Sequence, residues 1–509
     1  MQSKSVGWIQ SWLVILVASI LLPPLGLVLL WRKSGIGLIR KLLGSLLICG
    51  VAIVHLVLFF GLRFEVDGSA MRPIFYFGTR ERHYEALEEE RAEQKSLIPL
   101  ASKSLSGDVE PDATASIGAE SLAKVDAYWT DFRGPDRDGH YREMEIITQW
   151  SDGLEELWRH RVGGGYASFV IAEGKAFTIE QRREREVVAA YDIKTGLEIW
   201  TNSWEAHFQE PMGGPGPRAT PTWNEGMLFA LGAEGELRCL GANTGELIWR
   251  KNILTENQAD NLSWAMAASP LVVDDLVVVL PGGSTDNSVV AYDKRTGEPV
   301  WKSLSDRQSY TSPVLVTLAG QRQLLVVTAE RVVGLTVAEG DLLWEHPWST
   351  SYDVNAAQPL VAGSNRVFIS AGYGHGSALL EVSQQDHQFR ASAVWETHRM
   401  KNKFSGAVLH EGYIYGLDEA ILACIDVSSG ELMWKGGRYG YGQVLLASGH
   451  LIIVTEKGDL VLVKATPERH MELARFGAVE GKTWNNPAIG NGQLLVRNTR
   501  EMVSYRISP

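Results

Sequence analysis

The stretch AYDIKTGLEIW, residues 190–200, recurs along the chain and decides the fold. Each copy is a short apolar run, a polar turn that contains glycine, and a second apolar run that ends in Trp. Clear copies are CLGANTGELIW (239–249), AYDKRTGEPVW (291–301), GLTVAEGDLLW (334–344) and CIDVSSGELMW (424–434), with a looser copy ending at Trp395 and a degenerate one at Phe476. The copies end 39–52 residues apart, which is close to the length of one four-stranded β-propeller blade.

The residues around this phrase supply the remaining strands of a blade. An inner strand begins near a proline, as in SPLVV (269–273), and a second strand follows a turn, as in MLFAL (227–231). In the polar turn, an Asp or Asn accepts local backbone hydrogen bonds and glycine supplies a positive φ. We expect the Trp of each outer strand to fill the gap between neighbouring blades. These tryptophans are Trp158, Trp200, Trp249, Trp301, Trp344, Trp395 and Trp434.

The two ends of the repeat region complete each other. The last copy, residues 486–507, has no Trp strand, whereas LEELWRHRV (154–162) supplies one upstream, with Trp158 in the expected place. Joining both ends in one blade removes the open sheet edges. The sequence therefore predicts an all-β, eight-bladed β-propeller over residues 129–509, with seven full blades and one composite blade closed by an N-terminal strand.

Two apolar runs near the N-terminus predict membrane attachment. Residues 8–31 and 42–62 are each long enough to span a hydrocarbon core of roughly 30 Å as a helix, and Pro23 and Pro24 predict a kink in the first run. The loop between the runs carries four basic residues, and the N-terminus carries one; they are Arg32, Lys33, Arg40 and Lys41, and Lys4. This asymmetry predicts a cytoplasmic loop. The prediction is a two-span transmembrane hairpin over residues 1–62 in a bacterial inner membrane, with a periplasmic propeller.

The segment between hairpin and propeller, residues 63–128, has two parts. RERHYEALEEERAEQK (80–95) predicts a short charged helix that acts as a solvated spacer, because few of its positions are apolar. Residues 96–126 are rich in Ser, Ala, Gly and acidic residues, a composition typical of a flexible linker.

Charge and cysteine content exclude some classes of protein. The net charge of −12 argues against nucleic-acid binding, which needs clustered Lys and Arg to neutralise phosphates. Cys49, Cys239 and Cys424 are the only cysteines, and they form no CxxC pair. A disulfide-stapled fold and a cysteine-based metal site are therefore excluded.

The Trp-bearing repeats resemble those of the pyrroloquinoline-quinone (PQQ) repeat superfamily over about residues 150–509. That superfamily includes PQQ-dependent dehydrogenases and the non-enzymatic, BamB-like assembly lipoproteins. The segment WTDFRGPDRDG (129–139) also looks like the lead-in of membrane-anchored bacterial members. The resemblance implies either a binding or scaffolding module with a protein partner on its loops, or a quinoprotein-type oxidoreductase that binds PQQ and Ca²⁺ on the propeller axis.

Several features favour the scaffold over the enzyme. The dehydrogenases that the sequence resembles often carry a disulfide between adjacent cysteines, long inserted loops or a CxxCH cytochrome motif, and this sequence has none of them. No catalytic residue can be assigned; His375 in GYGHG (372–376) is a possible acid–base group without an identified partner. A third possibility is a sensor of a small anionic ligand.

The residues that precede the inner strands are expected to surround one mouth of the central channel. Their side chains are basic and aromatic, which predicts a site for an anionic or ring-shaped ligand such as the tricarboxylate PQQ. The alternative is that they fill the channel and pair with carboxylates such as Glu180 or Glu210. The predicted site residues are Tyr166, Arg218, Tyr310, Lys403, Arg438, Lys482, Trp484 and Asn485.

Overall fold

The computed structural model describes residues 11–66, 73–77, 80–104, 127–151 and 153–509. The chain forms two compact units, Met1–His83 and Tyr84–Pro509. The larger unit contains eight antiparallel sheets that follow one another along the sequence. The predicted eight-bladed propeller is therefore confirmed.

Each blade contains four antiparallel strands, ordered from the inside of the ring to the outside. Blades 1 and 7 each gain a fifth strand, Ala127–Trp129 and His140–Tyr141, beside the inner strand. The strands are Val170–Ala172, Lys175–Arg182, Arg185–Asp192 and Glu198–Glu205 in blade 1; Thr222–Asn224, Met227–Leu231, Glu236–Gly241 and Leu247–Asn252 in blade 2; Leu271–Val273, Leu276–Val279, Val289–Asp293 and Pro299–Ser303 in blade 3; Val314–Leu318, Gln321–Val327, Arg331–Thr336 and Leu342–Pro347 in blade 4; Leu360–Val361, Arg366–Ala371, Gly376–Gln385 and Gln388–Thr397 in blade 5; Val408–His410, Tyr413–Asp418, Ile421–Asp426 and Leu432–Arg438 in blade 6; Gln443–Ala447, His450–Val454, Asp459–Lys464 and Glu472–Gly477 in blade 7; and Ala488–Gly490, Gln493–Arg497, Glu501–Arg506 and Glu156–Arg161 in blade 8.

Blade 8 joins the two ends of the propeller as predicted. The strand Glu156–Arg161 pairs antiparallel with Glu501–Arg506, which places Trp158 opposite Ser504. The ring is thus closed by backbone hydrogen bonds between the first and last parts of the domain, and neither part leaves a free sheet edge at the junction.

The predicted turn chemistry is also present. In blade 1, the Asp192 carboxylate accepts the backbone N–H of Thr195 at 2.9 Å and that of Lys194 at 3.1 Å. Gly196 then adopts φ +69°, a conformation that disfavours residues with a Cβ. The same Asp and Gly roles recur at Asp293 and Gly297 in blade 3.

The outer-strand tryptophans fasten neighbouring blades together. In six of the seven predicted cases the indole Nε1–H donates to a backbone carbonyl of the next blade at 2.8–3.1 Å; these are Trp158, Trp200, Trp249, Trp301, Trp395 and Trp434. Trp344 is the exception, because its Nε1–H donates to Gln323 of its own blade at 2.5 Å. The next blade has a long hairpin, Gly376–Gln385 with Gln388–Thr397, where blades 1–4 and 6 have the polar, glycine-containing turn.

Residues 127–141, here called the plug, run inside the ring. Near the start of the plug, Trp129 pairs with Ile171 of blade 1, and near its end His140 pairs parallel with Leu446 of blade 7. Trp129 is fully buried. The plug therefore closes one end of the central channel, a role that the sequence did not predict.

Two buried arginines hold the plug in place. Arg137 donates to the carbonyls of Ser269 at 3.2 Å and Pro313 at 2.9 Å, in blades 3 and 4. Arg133 donates to Ala407 at 2.8 Å and Val444 at 3.2 Å, in blades 6 and 7. Burial lowers the pKa of Arg133 to about 10, with Asp138 opposing the shift. Carbonyl partners let these cations remain hydrogen-bonded where water is excluded.

Helix α4, Arg80–Ser104, differs from the predicted spacer because one face packs on the propeller. The buried positions on this face are Tyr84, Leu87, Arg91 and Gln94. Arg91 donates to the carbonyl of Arg161 at 2.6 Å, and Glu90 lies 2.9 Å from His160. Residues 96–104 of the predicted linker continue the helix, and 105–126 lie outside the described residues.

Replacing Leu87 with Asp is expected to detach α4, because Leu87 is fully buried and a carboxylate there would be unpaired. We expect limited proteolysis within residues 84–96 to become at least about tenfold faster, the factor that corresponds to about 1.4 kcal/mol. Glu89→Ala is the matched control, since Glu89 is exposed on the same helix. Equal cleavage of both variants would contradict the docking described above.

The N-terminal unit contains three helices, α1 Trp12–Leu21, α2 Pro23–Arg32 and α3 Leu38–Phe59, followed by a two-stranded sheet, Leu62–Val66 with Pro73–Phe77. A short helix α5, Ile253–Glu256, lies in the propeller. The first predicted span, residues 8–31, is not one helix in its described part, because it breaks at Leu22. Pro23 and Pro24 cause the break, since proline cannot donate to the preceding turn. Among the described residues, only α3 is long and apolar enough to cross a membrane.

Candidate functional site

Aromatic side chains form a continuous row at one mouth of the ring. This mouth is surrounded by residues 166, 404, 441 and 484. The ring centroid of Trp484 lies 5.2 Å from that of Tyr166 and 4.8 Å from that of Phe404. Phe404 in turn lies 5.6 Å from Tyr441. The side chain of Lys403 joins a further ring, because its Nζ lies 4.2 Å from the centroid of Tyr441 and 5.0 Å from that of Tyr373. We call these five rings and Lys403 the aromatic mouth; all six residues are half-buried.

The local sequence explains why these residues meet. Tyr166, Phe404, Tyr441 and Trp484 each precede the inner strand of their blade by a few residues, so the closed ring brings them to the same end of the axis. Tyr373 arrives differently, from the turn between the second and third strands of blade 5, where its φ is +57°. Sequence reasoning therefore identified Tyr166, Lys403 and Trp484 but missed Tyr373, which lies outside the alignment on inner strands.

A buried carboxylate fixes the positions of two residues of the aromatic mouth. Glu456, which is buried, accepts the indole Nε1–H of Trp484 at 3.0 Å and the backbone N–H of Tyr441 at 3.3 Å. Its carboxylate thereby fixes two members of the row. The sequence does not predict this role for Glu456. It shows only that Glu456 lies two residues after the strand His450–Val454, where a solvated loop residue would be equally expected.

A proline- and glycine-rich segment of the chain lies over part of the mouth. Residues 209–216, here called the strap, contain a small hairpin that pairs Gln209–Glu210 with Gly214–Pro215. The Tyr166 hydroxyl donates to the carbonyl of Gly213 at 2.5 Å. The Lys482 ammonium donates to the carbonyl of Met212 at 2.6 Å. The strap thus presents backbone carbonyls to residues predicted to bind a ligand.

Arg218 secures the base of the strap. Its guanidinium donates to the carbonyl of Gly214 at 2.9 Å and pairs with Glu210 at 3.2 Å. The predicted alternative, pairing with Glu210, therefore holds for Arg218. Glu180 instead pairs with Arg182 at 2.5 Å. Burial lowers the pKa of Arg218, while the neighbouring Tyr166 and Glu210 oppose that shift.

The other predicted site residues have different surroundings. Tyr310 packs against Trp264 at 5.7 Å, and burial raises its pKa to about 12. Asn485 is buried and donates to the carbonyls of Gly165 and Ala167 at 3.2 and 2.9 Å, so it joins blades 8 and 1. Arg438 ends the outer strand of blade 6 and is exposed. The strand continues to residue 438, so Arg438 lies at the end of the outer strand, five residues before the inner strand Gln443–Ala447.

His375 lies in a cavity of about 340 Å³ between blades 4 and 5, which adjoins the aromatic mouth at Tyr373 and is also lined by Trp348, Glu396 and His398. The imidazole of His375 meets the Trp348 ring edge-on, with centroids 4.2 Å apart. Burial lowers the pKa of His375, and Glu396 partly offsets this shift. The predicted acid–base candidate therefore has an aromatic neighbour, but no hydroxyl or thiol nucleophile of the described residues is hydrogen-bonded to its ring.

The described residues contain no group of three or more His, Cys, Asp or Glu side chains that could hold a metal ion. Calcium needs six to eight oxygen ligands, several of them carboxylates. At the mouth, Glu210 and Glu456 are each engaged by donors of the protein. The residues present therefore do not fit the Ca²⁺ that the resemblance implied beside PQQ.

Comparison with known proteins agrees with the fold. A family model described as "Outer membrane protein assembly factor BamB" matches residues 184–436. BamB of Yersinia pestis is 22% identical over 309 residues, which are 58% of this chain and 75% of that protein. BamB of Burkholderia pseudomallei is 20% identical over 321 residues, which are 60% of this chain and 76% of that protein.

Solved structures with the same fold include BamB and a quinohemoprotein alcohol dehydrogenase. The crystal structure of BamB from Moraxella catarrhalis has a TM-score of 0.50 at 13% identity and covers 69% of this chain and 97% of its own. Quinohemoprotein alcohol dehydrogenase from Comamonas testosteroni has a TM-score of 0.55 at 12% identity and covers 75% of this chain and 80% of its own. At these identities the two structures report the fold alone.

The repeats, the blade-joining tryptophans and the plugged axis define a PQQ-repeat β-propeller with one open mouth. The matches to the family model and to the BamB relatives support a PQQ-repeat, BamB-like family for this chain.

Proposed function

We propose that this protein is a binding or scaffolding module, tethered to a membrane, whose aromatic mouth takes an extended segment of a protein partner. The observation that carries the proposal is the strap. Tyr166, Lys482 and Arg218 already donate to main-chain carbonyls of residues 212–216. These donors are therefore placed to bind main-chain carbonyls, whatever the side chains of the segment that supplies them.

The remaining surface of the mouth suits such a segment. Aromatic-lined grooves bind proline-rich and extended peptides because flat rings contact the chain without losing much side-chain entropy. Phe404 and Tyr441 are half-buried and lie beyond the carbonyl contacts of the strap. Because the plug closes the opposite end of the axis, a ligand would contact this face of the ring. The similarity to outer membrane protein assembly factors favours a protein as the ligand.

We further propose attachment to a bacterial inner membrane, with the propeller on the periplasmic side. Helix α3 has the length and apolarity of a span. Arg40 and Lys41 lie in its first turn, and Arg32 and Lys33 lie shortly before it, so the positive-inside rule favours a cytoplasmic start. The sequence predicted two spans; α3 supports one of them, and the break at Leu22 leaves the course of residues 12–32 as a separate question.

Changing Phe404 and Trp484 together to Ala is expected to reduce partner recovery at least about tenfold, because buried aromatic anchors dominate interface energies. The measurement is quantitative recovery of partner with the detergent-solubilised protein from its native membranes, supported by photo-crosslinking from position 212, which is exposed at the tip of the strap. Ile248→Ala, an exposed apolar position on an outer strand, is the matched control. Unchanged recovery with the double variant would contradict a role for the mouth.

The cationic, aromatic character of the mouth also favours a second candidate ligand, an anionic ring compound such as PQQ. Such a ligand would be either the cofactor of a quinoprotein-type oxidoreductase or the signal that a sensor detects. Lys403 and Lys482 lie over aromatic rings at 4.2 and 4.8 Å, and Trp484 would report binding by its fluorescence. Saturable quenching by micromolar PQQ would support this candidate over the peptide. Quenching with dye-linked turnover would indicate an enzyme, and quenching without it a sensor.

A further inference from the structure

Helices α1 and α2 fold back on each other. The two helices are joined only by Leu22. Lys33, which follows α2, has its Nζ 5.0 Å from the centroid of the Trp12 ring, at the start of α1. The far ends of the two helices therefore meet, so that the helices run antiparallel instead of continuing as a single span.

Glycine allows this close return. A Cβ built on Gly26 would lie 2.5 Å from the Cα of Ser19 and 2.4 Å from its hydroxyl oxygen. A distance below 3 Å leaves no room for any side chain at position 26. Ser19 is itself buried, and its hydroxyl donates to the carbonyl of Ile15 at 2.6 Å. Small residues at such a crossing are the usual means of packing helices within a bilayer.

The length of each helix matches half a membrane. Ten residues per helix rise about 15 Å, whereas the hydrocarbon core is about 30 Å thick. The outer faces of both helices are apolar and exposed, with Leu13 at 69%, Leu21 at 67% and Leu25 at 47%. A hairpin of this height with an apolar exterior can lie in one leaflet without crossing to the other.

The turn between α1 and α2 leaves no backbone N–H group that needs water as a hydrogen-bond partner. Pro23 and Pro24 occupy the first two positions of α2, where backbone N–H groups would otherwise lack partners. The next two N–H groups, of Leu25 and Gly26, donate to the carbonyl of Leu22 at 2.9 and 3.1 Å. The four donors that usually remain unpaired at a helix N-terminus are therefore absent or satisfied, as a bilayer interior requires.

The end of the hairpin opposite the turn carries tryptophan and lysine residues, which are typical of a membrane interface. Trp12 stacks on Lys33, and the Nζ of Lys41 lies 5.8 Å from the centroid of the Trp31 ring. Lys41 also donates to the carbonyl of Trp31 at 2.9 Å, which sets the base of the hairpin beside the start of α3. Trp and basic residues together are typical of the headgroup region on the cytoplasmic side.

We propose that α1 and α2 form a re-entrant hairpin that enters the cytoplasmic leaflet and leaves on the same side, so that α3 alone crosses the membrane. The inference rests on the proposed membrane attachment. It reverses the location of the N-terminus: two spans place it in the periplasm with the propeller, whereas a re-entrant hairpin places it in the cytoplasm with the loop at Lys33.

The test is the side on which an N-terminal epitope tag becomes accessible to protease. We expect the tag on the full chain to survive protease added to spheroplasts and to be removed when inverted vesicles are treated. Loss of the tag in spheroplasts would overturn the proposal. Alkaline carbonate extraction is done in parallel: release of the protein would refute membrane attachment itself, whereas retention with an exposed tag would refute only the hairpin.

A triple variant tests the residues that hold the turn. Pro23→Ala, Pro24→Ala and Gly26→Leu together remove the break and the close crossing, so that residues 12–32 can form one span. We expect most of the tag to become protease-accessible in spheroplasts. Gly50→Leu is the matched control, because a Cβ at Gly50 in α3 would have no atom within 4 Å; its tag should remain protected. An unmoved tag in the triple variant would contradict the proposed basis of the hairpin.

Discussion

Replacing Arg137 with Ala is expected to lower the free energy of unfolding by about 3–5 kcal/mol, the usual cost of breaking a buried ion pair. The Arg137 side chain is almost fully buried and lies 2.9 Å from Asp131. It also donates to carbonyls of blades 3 and 4. The variant would leave Asp131, whose pKa burial already raises, without its cation. Denaturant unfolding of the full chain in detergent, followed by Trp fluorescence, measures the change.

Arg142→Ala is the matched control for this prediction. Arg142 follows the plug directly and also pairs with two carboxylates, Asp136 at 3.4 Å and Asp138 at 2.6 Å, but its side chain is 45% exposed. Exposed pairs contribute about 0–1 kcal/mol. If both variants unfold alike, the plug does not contribute to the stability of the ring.

Replacing Gly245 with Ala is expected to cost about 2–5 kcal/mol, from about 1–2 for the left-handed backbone and about 1–3 for the added volume. Gly245 has φ +71°, and a Cβ there would lie 2.3 Å from the Trp200 ring of the preceding blade. That ring cannot move without losing its hydrogen bond to Ala242. The same denaturation experiment measures the loss.

Gly226→Ala separates the two contributions. Gly226 has φ +77°, but nothing lies within 4 Å of its built Cβ. We therefore expect only the backbone cost of about 1–2 kcal/mol. The difference between the two variants measures how firmly Trp200 joins blades 1 and 2. A Gly226 variant as unstable as the Gly245 variant would show that the indole is free to shift.

The sequence was sufficient to predict the propeller because the repeat contains both partners of each inter-blade contact. Trp200 is separated from Gly245 by nearly one blade length, and the same spacing recurs. The closure strand was also predictable, since Trp158 fills the place that the last copy lacks. Tyr166 and Trp484 were found because they precede inner strands in register, and Lys403 because it lies next to such a position.

Other features of the fold could not be predicted, because the residues that form their contacts have no distinctive sequence pattern. Arg133 and Arg137 bind backbone carbonyls, which every residue possesses, so nothing in the sequence marks their acceptors. Helix α4 packs through a narrow stripe in which only Tyr84 and Leu87 are hydrophobic, too few to stand out in a charged segment. The fold-back at Leu22 was hidden because apolarity alone does not distinguish one span from two half-spans.

The composite blade has a consequence for how the chain acquires its fold. Arg159 of the closure strand bonds to Glu501, 342 residues later, and Arg133 bonds to Asn486, 353 residues later. Contacts this distant in sequence form slowly, because the intervening chain must first be brought together. The closure strand Glu156–Arg161 therefore has no partner until Glu501–Arg506 has been synthesised, and the ring can close only after that. A chain that stopped before Glu501 would have two unpaired edges instead of a smaller ring, and such edges invite aggregation.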